Sequence, residues 1–507
     1  MLFPDSRLPA IKVRHPTPIV APPMIPPIVR IAAWLALGAS IALASAEGQV
    51  AASLPAAPPS GAPTPTVGAP PAAASWLTGG GDVRLRNEYF NNAFTLSEVA
   101  PLHEQDYFRL RVRLWGSATL IPDLTFNVRV AAEPRIWERP AFVKQHTGTG
   151  TEERYVIPDT FNVKWTHAFG LPLTITAGRQ DILLGDPLNW WLVCDGTPGD
   201  GSWTLFLDGV RATLDAPAIK TKFDLFAIDQ HAKPDAWLPI IGAKSTYGLA
   251  EQDERGLVLY ASNKARPQAQ VDGYFIYKKD TRFFATGDNA EIYTLGAKLG
   301  GAPAPNWLYS IEGAWQWGWK QDPGVKVPVN VSGLRRDLQA CALNARLSYS
   351  FKDPLNNQVN LVGEYLSGDK PGTTDRDEMF DILWGRWPRF SELYIYSYTM
   401  ETGGKIAQLN NLLRVGAGWS CTPAKGTTFS ATYQALFAPE DVPTRALSAA
   451  LFSRNGHFRG HFLQLVLKHQ FSKQLSGHLW AEFVREGDFY ARRDTLTFLR
   501  GELLLTF

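Results

Sequence analysis

Charge is in short supply in this sequence. Only 19% of its 507 residues are Asp, Glu, Lys or Arg, against about 25% in an ordinary soluble domain. The formal net charge is +2, which excludes nucleic acid as a partner of the whole chain, because that partner requires a basic excess. Cysteine is scarcer still. Cys194, Cys341 and Cys421 are odd in number, widely separated and without metal-ligand spacing, so neither a disulfide framework nor a metal site is indicated. No apolar run of about 18 residues follows Ala46, which removes a membrane-spanning helix from that point on. His457, His461, His469 and His478 have no Ser/His/Asp grouping around them, so no catalytic residues and no cofactor are assigned.

What the chain has instead is glycine and aromatic residues: 43 Gly, 17 Trp, 16 Tyr and 27 Phe. That composition suits many short strands with aromatic girdles. Near the start, Ile31 to Ala46 is apolar, follows Arg30 and ends in Ala44-Ser45-Ala46, a small-x-small cleavage pattern. The run is shorter than the roughly 20 residues that span a bilayer as a helix. Residues 1–46 are therefore expected to be a signal peptide, with Met24 to Arg30 forming a conventional basic region if translation starts at Met24. Residues 47–76, rich in Ala and Pro, form a linker that lacks the residues to build a core, and residues 77–507 form the folded part.

Within that part, Tyr107 to Trp115 sets the fold class. An extended strand puts Phe108, Leu110, Val112 and Leu114 on one face and Tyr107, Arg109, Arg111, Arg113 and Trp115 on the other. Three stacked arginines need water and the aliphatic face needs an apolar neighbour. A barrel wall in a bilayer supplies both, whereas a soluble sandwich would need a solvated basic edge strand. Trp307 to Lys320 repeats the pattern, with Trp307, Tyr309, Ile311, Gly313, Trp315, Trp317 and Trp319 on one face and Ser310, Glu312, Gln316 and Lys320 on the other. Aromatics near both ends of a strand suit the two headgroup layers.

The connections alternate between short and long, as periplasmic turns and external loops do in such barrels. Short links fall near 121–123, 169–172, 215–220, 265–268, 302–306, 352–357, 422–426 and 472–474, with longer ones between them. The alternation closes on an even number of strands only if Gly368 to Gln408 is one external loop, although Leu393 to Tyr398 inside it has a strand-like pattern. The predicted fold is all-β: a transmembrane antiparallel barrel of about 18 strands with long external loops.

Projecting each strand by parity places Arg84, Arg86, Arg109, Arg111, Arg113, Arg129, Lys164, Arg211, Arg346, Arg414 and Arg500 on the lumen face, with Glu88, Glu133, Glu312, Glu364 and Glu482. Arg179 falls on the lipid face by simple alternation after Leu173, Ile175 and Ala177, and a bulge at Gly178 would turn it inward. Arg109, Arg111 and Arg113 stand about 6.6 to 6.8 Å apart along the strand. At an effective dielectric near 20 each adjacent pair repels by roughly 2 to 3 kcal/mol before screening. Glu88 and Glu133 are the nearest expected acids, and two acids leave the first strands positive. Arginine suits a pore for carboxylates, because its fork pairs with a carboxylate while neighbouring sites keep residence short. A purely bracing role against lumen carboxylates is the alternative.

Several segments also carry a family resemblance. They are Val83-Arg84-Leu85-Arg86-Asn87-Glu88-Tyr89-Phe90-Asn91-Asn92, Phe108-Arg109-Leu110-Arg111, Ala177-Gly178-Arg179-Gln180-Asp181-Ile182-Leu183-Leu184-Gly185-Asp186 and Phe206-Leu207-Asp208-Gly209-Val210-Arg211. Together they resemble the alginate export family. The closing Leu503, Leu505 and Phe507 of an alternating strand resemble the C-terminal pattern of bacterial outer-membrane proteins. The resemblance implies an outer-membrane location, outer-membrane lipid around the wall, an arginine-lined pore that passes anionic polysaccharide, and a periplasmic export complex as partner. Uptake of small anionic, uronate-like solutes and a non-transporting surface barrel are the competing readings.

Overall fold

The computed structural model describes residues 76–140, 150–152, 155–184, 192–194, 206–242, 248–322, 333–385, 389–402, 410–442 and 449–507. The expected signal peptide and all but the last residue of the linker lie outside these. Eighteen long antiparallel strands form the wall. They are β1 (Leu77–Asn91), β2 (Glu104–Ile121), β3 (Leu124–Ala132), β4 (Val156–Trp165), β5 (Leu173–Gln180), β6 (Leu207–Ala216), β7 (Thr221–Gln230), β8 (Gln252–Asn263) and β9 (Gln270–Arg282). The second half comprises β10 (Asn289–Gly301), β11 (Trp307–Gln321), β12 (Arg336–Ser350), β13 (Gln358–Leu366), β14 (Leu412–Ala424), β15 (Thr427–Phe437), β16 (Phe458–Gln470), β17 (Leu475–Glu486) and β18 (Thr495–Thr506).

Each strand pairs with its sequence neighbours, and β1 pairs with β18 from Asp82↔Thr506 to Asn91↔Thr497, which closes the barrel. Closure removes every free sheet edge, the condition for a sheet to cross a bilayer. Among the described residues no helix is long and apolar enough to cross a membrane.

The usual inside-out rule is inverted. Leu114, Leu295 and Trp315 are at least half exposed, while Arg84, Arg86 and Arg109 on the opposite faces are at most 1% exposed. Along β11, Trp307, Ile311, Trp315 and Trp317 are exposed, and Ser310, Glu312, Gln316 and Lys320 are buried. That is the alternation the sequence predicts, with the apolar row turned outward to lipid. All eight short connections, such as 122–123 and 425–426, fall at one end of the barrel, where the strand chain also begins and ends. By the rule for these barrels, this end faces the periplasm.

The strand-like pattern at Leu393 to Tyr398 does not form a strand. Residues 394–397 make one helical turn, followed by a 3-10 turn at 398–400. The reason is burial on every side. Leu393, Tyr394, Ile395, Tyr396 and Tyr398 are all buried among Phe90, Phe462, Phe489 and Phe498, wall residues and loop residues of the lumen side. A segment covered all round carries no amphipathic period from which a strand could be told from a helix.

Candidate functional site

The lumen faces of β1, β2, β3 and β18 carry a ladder of ion pairs. Arg84 bonds Glu133 at 2.6 Å and reaches Glu502 at 3.8 Å. Arg86 pairs with Glu502 and, at 3.3 Å, with Glu88. Arg109 pairs with Glu133 and, at 3.4 Å, with Glu88. Asp82 holds Arg111 at 3.2 Å and Arg113 at 2.7 Å. Arg129 bonds Asp159 at 2.8 Å and Asp181 at 2.5 Å, and Arg500 bonds Glu88 and Glu392 at 2.6 Å each.

Seven arginines thus share seven carboxylates. The expected positive excess with Glu88 and Glu133 as the only acids is corrected by Asp82, Asp159, Asp181, Glu392 and Glu502. Asp82 and Glu502 were legible, since they share parity with Arg84 and Arg500. Asp159 sits where the β3–β4 register shifts between Arg129 and Val130, Asp181 follows a strand end, and Glu392 comes from a distant segment, so alternation could not place them.

Most of the other expected lumen cations keep their row. Arg211 bonds Asp224 at 2.7 Å. Arg414 pairs with Glu364 and donates to Gln434 at 3.1 Å. Arg346 is half-buried, and Lys164 is exposed. Glu312 accepts from the Tyr274 hydroxyl at 2.9 Å.

Arg179 departs from the expectation. Gly178 has a φ of 118°, yet the ladders on both sides run through it without a shift, pairing Arg179 with Phe161 and Asp208. The side chain stays on the outward row and is buried at the external rim. It bonds Asp208 at 2.9 and 3.0 Å, donates to the carbonyls of Pro158 and Pro234, and lies 3.8 Å from the centre of the Phe206 ring and 5.2 Å from that of Trp237. The loop after β7, not a bulge, removes it from lipid.

The described residues between β13 and β14, 367–385, 389–402 and 410–411, are tied to both sides of the lumen. On one side Arg336 of β12 bonds Asp369, Asp377 and Asp322 at 2.9, 3.0 and 3.1 Å. Lys320 bonds Asp381 at 2.9 Å, and Gln316 both donates to and accepts from the Asp381 backbone. On the other side the Glu482 carboxylate accepts from the Ser391 hydroxyl and from the N–H groups of Glu392 and Leu393. Arg459 grips Glu401, and Arg500 grips Glu392.

Around the first anchor, Lys278, Lys320 and Arg336 are shared by Glu254, Asp280, Asp288, Asp322, Asp369, Asp377 and Asp381. Acids outnumber bases there. Burial, reinforced by Asp377 and opposed by Arg336, pushes Asp369 up to about 8, and burial with Asp322 pushes Asp377 up to about 6. Among the described residues no group of three or more His, Cys, Asp or Glu side chains has the geometry to hold a metal ion.

A family model described as alginate export matches residues 75–498. No curated protein sequence matches the chain. Among solved structures, OccAB1 of Acinetobacter baumannii superposes with a TM-score of 0.51 at 11% identity, over 85% of this chain and 96% of that one. OccAB2 of the same organism gives 0.50 at 10% identity, over 85% and 98%. At such identity the likeness is one of fold.

Proposed function

Since the matched model spans nearly the whole folded part, the chain belongs to the alginate export family, and from that premise we propose that this outer-membrane barrel passes a carboxylated saccharide or polysaccharide outward through its lumen. The observation that carries the reading is the guanidinium–carboxylate ladder. Every arginine in it already holds a carboxylate, so a uronate entering the lumen offers the wall the chemistry it is built to bind. Contact is open where the arginines are partly accessible. The side chains of Arg113, Arg129 and Arg211 are 23, 17 and 21% exposed. There an incoming carboxylate meets the accessible edge of the guanidinium while the buried wall carboxylates Asp82, Asp159 and Asp224 keep their pairs, so no buried charge is left unpaired. Many equivalent sites in sequence keep each residence short, which transport requires.

Proteoliposomes loaded with oligouronate test the proposal. Efflux through the folded barrel, faster for uronates than for neutral oligosaccharides of equal length, is the expected result. Equal rates would remove the carboxylate from the account.

A second reading has its own observation. The described residues between β13 and β14 are anchored across the lumen, which narrows the path and favours uptake of a small anionic solute over passage of a polymer. The dependence of efflux on chain length separates the two: a cut-off at one or two sugar units supports the small solute.

A further inference from the structure

We infer that the station that selects anions is the periplasmic mouth, where Lys164, Lys222 and Lys468 form a lumen-facing ring that captures the carboxylated substrate before it meets the arginine ladder. This rests on the anion-channel reading above and deepens it by naming the residues and the side of entry.

The three lysines occupy lumen rows by register. Lys164 pairs with Thr125, on the row of Asn127 and Arg129. Lys222 lies two positions before the buried Asp224 on β7, whose even positions, including Phe226 and Ile228, are buried. Lys468 continues the row of Phe462, Gln464 and Val466 on β16. They stand on β4, β7 and β16, so they face the mouth from opposite sides of the wall instead of lining one strand pair. All three are exposed, and among the described residues none makes an ion pair. The ladder contrasts with them, since each of its arginines is matched by acid. An ion pair projects little field beyond its own length, while an uncompensated ammonium in a low-dielectric mouth attracts anions over about a Debye length, roughly 10 Å at 0.1 M salt.

The surrounding turns strengthen the same field. Lys220, Lys264, Arg266, Lys352, Lys425 and Lys473 lie in short turns at this end and are exposed, again with no ion pair among the described residues. The aspartates there are largely engaged. Asp123 meets His167 at 2.9 Å, Asp353 accepts from Asn357 at 2.6 and 2.8 Å, and Asp272 meets Lys298 at 3.4 Å. Asp215 faces Lys222 across the β6–β7 pairing and offsets part of its charge, so the positive balance at this end comes from the exposed lysines and arginines together. On one side of the opposite end, by contrast, the described residues place seven acidic groups around Lys278, Lys320 and Arg336. The described mouth is therefore positive toward the periplasm, so a polyanion is concentrated where an exported polymer arrives. Because Lys164, Lys222 and Lys468 point into the lumen, the occupant is a soluble polyanion and not the headgroup of a surrounding lipid.

The test uses the full barrel in a planar bilayer with known orientation, with oligogalacturonate as the probe, comparing wild type with the Lys164→Gln, Lys222→Gln, Lys468→Gln triple variant. Wild type is expected to prefer anions in a potassium chloride gradient and to be blocked by oligogalacturonate from the periplasmic side at a concentration lower by on the order of tenfold than from the external side. The triple variant, heat-modifiable on a gel like wild type, is expected to lose both the sidedness and most of the anion preference. Retention of both in the folded variant overturns the inference and leaves the anion channel standing. A wild-type barrel with no anion preference overturns both.

Discussion

Arg459 of β16 holds Glu401 through both terminal nitrogens, at 2.5 and 2.7 Å, with the arginine fully buried and the glutamate nearly so. The pair is roofed by the rings of Tyr398 and Phe489 and fixes the far end of the lumen-crossing segment to the wall. Removing one partner of such a pair leaves a buried charge and costs about 3 to 5 kcal/mol. Glu401→Ala is therefore expected to release this end of the segment, giving larger and less steady single-channel currents while the barrel stays heat-modifiable. Unchanged conductance would mean that the segment is held without this anchor.

The other anchor is pH-dependent. Asp369 and Asp377 are raised to about 8 and about 6, chiefly by burial. Carboxylates whose docked-state values lie above the free ones bind protons more tightly when docked, so docking is fully stable at low pH and weakens as pH rises through the window from about 4 to about 8. Conductance is expected to climb between pH 6 and 8, and Asp369→Asn is expected to flatten the upper part of that climb. A fall in conductance over the same range would reverse the assignment.

Arg111 and Arg113 share Asp82 within a ladder of seven arginines and seven carboxylates, so little of their charge is left for the lumen. Arg111→Glu with Arg113→Glu places two acids against Asp82 and is expected to lower the temperature at which the barrel unfolds on a gel, with a smaller effect on reversal potential than loss of the three mouth lysines. A full switch to cation preference in a barrel of normal heat resistance would restore the ladder as the filter.

Arg179 serves the rim, not the lumen. Arg179→Ala leaves Asp208 buried against Phe206 and Trp237, with its remaining bond from the Trp237 indole. A cost of about 3 to 5 kcal/mol is expected, visible as earlier thermal unfolding with selectivity unchanged. Altered selectivity would place the side chain on the permeation path.

What was legible in the sequence follows from how each residue is solvated. Alternation along Tyr107 to Trp115 and Trp307 to Lys320 reveals a wall between water and lipid, because both environments act on every second residue. The turn spacing reveals eighteen strands, because only an even count returns the chain to its starting side. The same alternation cannot say whether an outward residue near a rim touches lipid or is roofed by a loop, and so it predicts a bulge at Gly178 that Arg179 does not need. Nor can it count the acids that reach a row from outside the strand, such as Glu392 and Asp181, on which the neutrality of the ladder depends. Leu393 to Tyr398 resembled a strand because its partners, Phe90, Phe462 and Phe498, come from strands far away in sequence.

The most direct test of the anionic channel is the reversal potential of the purified barrel in a steep gradient of a potassium oligouronate, where the uronate is the sole anion. The expected potential has the sign set by anion flow, with a measurable current carried by the uronate. A potential set by potassium alone, with no uronate current, would contradict it.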